Sequence, residues 1–106
     1  MKVIWSDFAI SSLYDIFKYY KETANESVAK RIKSRIFAAT RQLKQHPESG
    51  QIEPNLIQLD ESHRYLVEGN YKIIYKRIPE GVLITDVFDT RQDPIKMIDI
   101  KKKPRR

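Results

Sequence analysis

The sequence of 106 residues predicts an α+β domain: an N-terminal strand and a two-helix antiparallel hairpin packed on a twisted antiparallel sheet. Two observations carry this prediction. Apolar residues recur at helical spacing from Phe8 to Leu43, then change after Pro47 to short runs rich in Val, Ile, Leu and Tyr. Turn formers, Gly69-Asn70 and Pro79-Glu80-Gly81, separate the last three runs as hairpin loops do.

The first element is the alternating segment Lys2 to Trp5, read as a strand that joins the sheet. Ser6 or Asp7 then caps a helix over about residues 7–22, whose apolar positions Phe8, Leu13, Ile16, Phe17 and Tyr20 fall on one stripe. Asn25 caps a second helix, expected over residues 25–46, with Val28, Ile32, Ile36, Ala39 and Leu43 as its buried stripe and Pro47 as its stop. The runs Leu56 to Leu59, Arg64 to Glu68, Tyr71 to Arg77 and Val82 to Phe88 are expected as strands. Alternation within Tyr71 to Tyr75 sends Tyr71, Ile73 and Tyr75 to the core and turns Lys72 toward an open face. One domain over 1–97 and a basic tail over 98–106 complete the expected organisation.

Charge needs dissection before it suggests a ligand. Of 20 Lys and Arg, five lie in the closing KKKPRR, and without them the cations nearly balance the 14 carboxylates. A basic end of this kind is read as a solvated tail that adds affinity for polyanions without specificity. The absence of Cys suits a reducing compartment, no run reaches the roughly 18 apolar residues of a membrane span, and MKVIWSDFAI lacks the shape of a secretion signal. A cytoplasmic protein is the expectation.

Metal and nucleotide motifs are absent: no paired Cys, no HExxH, no Gly-rich phosphate loop. No metal and no cofactor are expected. His46 and His63 are read as exposed or turn-capping residues. The stretch from Arg64 to Pro94 stands out because it places Arg64, Lys72 and Arg91 on or beside neighbouring strands, where antiparallel pairing can gather distant residues onto one surface. Such cations can bind a phosphate, or they can simply pair with nearby Asp86, Asp89 or Glu68.

The order of features resembles the RelE/ParE superfamily of toxins of type II toxin–antitoxin systems, the plasmid-stabilisation type. The matching residues are Trp5-Ser6, Ala9, Leu13, Ile16 and Tyr19-Tyr20, then Ala29, Ile32, Ile36, Leu43, Pro47 and Gly50. The sheet adds Arg64-Tyr65, the block Gly69-Asn70-Tyr71-Lys72-Ile73-Ile74-Tyr75, and Asp86-Val87-Phe88-Asp89-Thr90-Arg91-Gln92. The resemblance implies a cytosolic toxin that arrests growth until a separately encoded antitoxin neutralises it. Together with the cations of the second helix, it implies an acidic or amphipathic antitoxin segment docking on the hairpin or a sheet edge, with Phe17, Tyr20, Arg31 and Arg35 as partner-binding residues.

Two chemistries occur in that superfamily. RelE-like members are endoribonucleases that cut messenger RNA in the ribosomal A site; ParE-like members inhibit DNA gyrase. For the nuclease, the resemblance implies Lys72, Arg91 and Arg64 as catalytic cations, with Glu53 near the position of a general base. Arg64, Lys72, Lys76 and Arg91 are then the expected nucleic-acid contacts. The His or Tyr acid of such nucleases has no counterpart after Arg91, where the chain reads Gln-Asp-Pro-Ile-Lys-Met. The hairpin, with Ala29, Pro47 and Gly50, is more ParE-like, so gyrase inhibition is the preferred reading, the nuclease the alternative, and a non-toxic protein-binding module the third.

Overall fold

In the computed structural model, which describes residues 1–97, the chain runs β1 (Lys2–Trp5), α1 (Asp7–Thr23), α2 (Glu26–Ala39), β2 (Gln51–Ile52), β3 (Arg64–Glu68), β4 (Tyr71–Ile78) and β5 (Gly81–Asp89). The basic tail lies outside the described residues. Both helices begin at the expected caps. The Ser6 side chain accepts from the Ala9 N–H at 3.0 Å, and the Asn25 side chain accepts from the Val28 N–H at 2.9 Å.

Five strands form one sheet in the order β1-β5-β4-β3-β2. The three central strands are an antiparallel meander, as the turn residues predict. β1 differs: it lies parallel to β5, from Lys2 opposite Gly81 to Trp5 opposite Ile84. Parallel neighbours need a long crossover, and everything between residues 6 and 80 supplies it. Gly81 sits where the strands close up. Its φ is +152°, and a Cβ there would overlap the Lys2 carbonyl oxygen, so only glycine fits.

The main core lies between hairpin and sheet. Ala9, Leu13, Ile36 and Leu43 meet Tyr71, Ile73, Tyr75, Val82, Ile84 and Val87, all buried. The expected face assignment of β4 holds at Tyr71, Ile73 and Tyr75. Its other face, expected to be open, is partly covered: Ile74 is fully buried with Leu56, Phe88 and Met97, flanked by Leu59 and Tyr65.

The cover comes from a segment that departs from the sequence reading. Leu56 to Leu59 is no strand; Pro54–Leu59 forms a 3₁₀ turn, with Pro54 at its start and the Glu53 carboxylate accepting from the Asn55 N–H at 3.0 Å. Leu56 and Leu59 are three residues apart, the 3₁₀ repeat, so both face inward. The short β2, which no apolar run announces, pairs with β3 just before it. α2 also ends earlier than expected: the chain tightens into a 3₁₀ turn over Thr40–Lys44. There the Thr40 hydroxyl donates to the Phe37 carbonyl at 2.7 Å, while Leu43 keeps its buried place. His63, expected outside, is 3 % exposed, and its carbonyl accepts from the Glu53 N–H at 2.9 Å.

Candidate functional site

The sequence-derived cations fall into four separate settings. Lys72 and Lys76, four residues apart on β4, share the face opposite the helices. Lys72 Nζ lies 2.9 Å from Glu53 Oε1 and 4.2 Å from the centre of the Tyr65 ring. The other Glu53 oxygen accepts from both the backbone and the side-chain amide of Asn55, at 3.0 and 2.9 Å. The Glu53 side chain is wholly enclosed, and that of Lys72 is 20 % exposed. The carboxylate thus caps a turn and holds an ammonium, three donors converging on two oxygens. Proline after Glu53 and Asn55 after that place these donors locally.

Lys76 pairs with Glu61 at 2.8 Å, and His63 Nε2 stands 3.7 Å from the same carboxylate oxygen. Arg64 belongs to the other face, since it lies directly opposite Tyr75 in the β3–β4 ladder. Its guanidinium donates to the Gly50 carbonyl at 2.8 Å, and the Gly50 N–H donates to the Tyr75 hydroxyl at 2.9 Å. Two strands thereby pin the loop that follows the second helical segment. Burial pushes the Tyr75 phenol up from its ordinary value, the largest of its influences.

Arg91 follows β5 at the far end of the sheet. It forks onto Asp89 with Nε and Nη2 at 2.9 and 2.8 Å, which holds the Asp89 carboxyl below its usual range and the guanidinium well above its own. The Tyr20 hydroxyl is close enough to raise Arg91 further. Tyr20 also accepts from the Tyr71 hydroxyl at 3.3 Å. Burial first, then that hydrogen bond, drives the Tyr71 phenol far above its ordinary value. Arg91 borders a cleft of about 450 Å³ between α1 and the half of β5 that β1 does not reach, beside Phe8, Ser12, Tyr19 and Tyr71. Asp86 lines it too; it is buried and accepts from the Ser12 hydroxyl at 3.3 Å.

Arg64, Lys72 and Arg91 therefore do not converge: they occupy one face, the opposite face and one end of the sheet. Glu53 and Lys72 do meet, as an ion pair. The partner-binding candidates sit on the hairpin. Phe17 is half-buried beneath the Lys33 ammonium, 5.1 Å from its ring centre, and Arg31 and Arg35 are exposed. Tyr20 and Arg35 flank a groove that continues over Ile32 to the β3–β4 turn at Gly69 and Asn70. Sequence reasoning missed the Glu53–Lys72 pair, the buried Asp86 and the Tyr20–Tyr71 contact. The first had a signal, a carboxylate before Pro-Asn; the other two depend on how α1 crosses β5 and β4. Among the described residues, no helix is long and apolar enough to cross a membrane.

A strand, a helical hairpin and an antiparallel-dominated sheet make up the RelE/ParE-like fold. The family model described as ParE toxin of type II toxin-antitoxin system, parDE, matches residues 3–94. The chain belongs to this family, which implies an antitoxin as its partner. Among solved structures, it is similar to one titled "Chromosomal ParDE TA system from P. aeruginosa". The TM-score is 0.69 at 16 % identity over 84 % of this chain and 95 % of that chain, a likeness of fold. No curated protein matches the chain.

Proposed function

We propose that the protein is a cytoplasmic growth-arresting toxin that inhibits DNA gyrase by surface contact rather than by bond cleavage. The observation that carries this reading is the state of Glu53 and Lys72. A general base must have an oxygen free to take a proton, and a cation that stabilises a phosphorane must be free to approach it. Here the carboxylate is enclosed and spends its oxygens on Lys72 and Asn55, 2.9 to 3.0 Å away. Of the other candidate cations, Arg91 is engaged by Asp89 and Arg64 by the Gly50 carbonyl. An inhibitor that acts by contact needs neither group free, and membership in the ParE rather than the RelE branch supports the same choice.

The antitoxin seat, on this reading, is the groove bounded by Tyr20 and Arg35, with Phe17 and Arg31 beside it. An amphipathic helix laid there would set apolar side chains against Ile32 and Tyr20 and carboxylates against the two arginines. Induced expression with and without the neighbouring gene tests the toxin reading, and primer extension on total messenger RNA tests the mechanism. Growth arrest relieved by the neighbour, with intact messages, is expected. Codon-phased cuts that vanish in Lys72→Ala would establish the RelE-like nuclease instead. Harmless expression at high level would leave the non-toxic binding module as the account.

A further inference from the structure

The balanced charge of the body conceals a division. Residues 18–44, which span most of the hairpin, carry eight Lys and Arg against two Glu, whereas residues 45–97 carry six against nine Asp and Glu. The two groups of cations also differ in their partners. On the sheet, Arg64 is held by the Gly50 carbonyl, Lys72 by Glu53, Lys76 by Glu61, Arg77 by Glu48 and Arg91 by Asp89. On the hairpin, Lys30 pairs with Glu26, and Lys33 rests over Phe17. Among the described residues, Arg31, Arg35, Arg41 and Lys44 pair with no carboxylate, and all four are exposed.

Their spacing makes a line. Arg31, Ser34, Ala38, Arg41 and Lys44 follow one another at three or four residues, along α2 and into the 3₁₀ turn, over roughly 20 Å. Beside its far end, Arg41 and Lys44 border a depression with Val3, Trp5, Phe37 and Thr40. Phe37 is 51 % exposed and braced edge-on by Trp5, ring centres 5.0 Å apart, so it presents a supported aromatic face among unpaired cations.

We propose that this face of α2, from Arg31 to Lys44 with Phe37, binds single-stranded nucleic acid: the cations track the phosphodiester backbone, and an unpaired base stacks on Phe37. Unpaired cations along one ridge with an exposed aromatic are the two parts of such a site. An acidic protein fits the face less well. Polar residues such as Ser34 and Gln42 lie between its charges, and Phe37 is the one large apolar side chain exposed on α2. The site is distinct from the sheet cations that the sequence suggested, because those are engaged within the molecule, Lys72, Lys76 and Arg91 by carboxylates and Arg64 by the Gly50 carbonyl. It also lies apart from the groove proposed for the antitoxin at its Arg41–Lys44 end.

The test measures binding of a fluorescein-labelled 16-nucleotide single strand to the full chain by anisotropy, across a salt series. Arg41→Ala/Lys44→Ala should weaken binding at least tenfold at low salt and flatten the log–log salt slope by about 1.4, two contacts at about 0.7 each. Phe37→Ala should weaken it roughly tenfold with the slope unchanged. Arg77→Ala, a loss of charge on the sheet side, should change neither, and circular dichroism checks that each variant is folded. Lys101→Ala/Lys102→Ala/Lys103→Ala separates the tail: it should lower affinity while the Arg41/Lys44 decrement persists within it. Folded Arg41→Ala/Lys44→Ala that binds like the parent overturns the proposal. So does displacement of the oligonucleotide by polyglutamate of matched charge at equal potency, which would mark the face as one for acidic protein.

Discussion

Replacing Lys72 with Met is the sharpest probe of how the sheet face is built. Met keeps an unbranched stem against Tyr65 but removes the ammonium 2.9 Å from Glu53. The carboxylate is wholly enclosed, so it is left charged and short of a partner. Breaking a buried pair in this way costs about 3–5 kcal/mol. Two features move this case to the lower end: Asn55 still donates twice to the second oxygen, and the space of a side chain 20 % exposed admits water to the first. A loss of about 3 kcal/mol is expected, which for a domain of this size lowers Tm by roughly 12–24 °C. Glu53→Gln in the same background removes the orphaned charge while an amide oxygen still serves Asn55, so the double variant should recover to within about 1 kcal/mol of the parent. Urea denaturation followed by circular dichroism reads both. A Lys72→Met protein that loses less than about 1 kcal/mol would show that Glu53 is well solvated. The reasoning that removes it from the role of base would then fail.

Three further outcomes are expected. Gly50→Ala should destabilise by about 1–3 kcal/mol, because its Cβ would lie 2.6 Å from the Tyr75 hydroxyl and 2.7 Å from the Tyr65 carbonyl oxygen; denaturation at parental urea midpoint contradicts this. Tyr75→Phe should cost about 1–3 kcal/mol by leaving the Gly50 N–H without its acceptor, and an unchanged midpoint would show the loop is held otherwise. Tyr71 and Tyr75 both have folded-state values raised above the unfolded one. Their contribution to stability is therefore full below pH about 10 and is lost as pH rises through the folded values. Absorbance titration at 295 nm should show these two of the six tyrosines ionising only as the fold is lost. All six ionising together in a still-folded protein would refute it.

The sequence exposed the fold wherever a periodicity had a single physical meaning. Phe8, Leu13 and Ile16, or Tyr71, Ile73 and Tyr75, repeat at spacings that only one kind of element can bury. Leu56 to Leu59 misled because a four-residue run with three apolar side chains fits a strand and a 3₁₀ turn alike; Pro54 and the Glu53 cap decide it in three dimensions. The parallel placement of β1 left no mark on four residues, since its partner is 79 positions away. The site was legible as a set of residues but not as an arrangement. Lys72 and Glu53 could each be named, but their pairing depends on the turn after Glu53 folding under β4. Arg64 and Lys72 seemed neighbours because alternation within β4 says nothing of which residue of β3 lies opposite. The charge balance hid the ridge on α2 for a similar reason: a sum over the chain erases where the charges stand and which already have partners.

Purified gyrase, relaxed plasmid and ATP provide the direct measurement of the proposed mechanism, with this protein titrated into the supercoiling reaction. The account predicts that supercoiling stops in a concentration-dependent way and that folded Glu53→Gln protein inhibits as strongly as the parent, since no proton transfer is involved. Full supercoiling in the presence of excess parent protein, or inhibition that disappears with the Glu53 carboxylate while the fold persists, would contradict it.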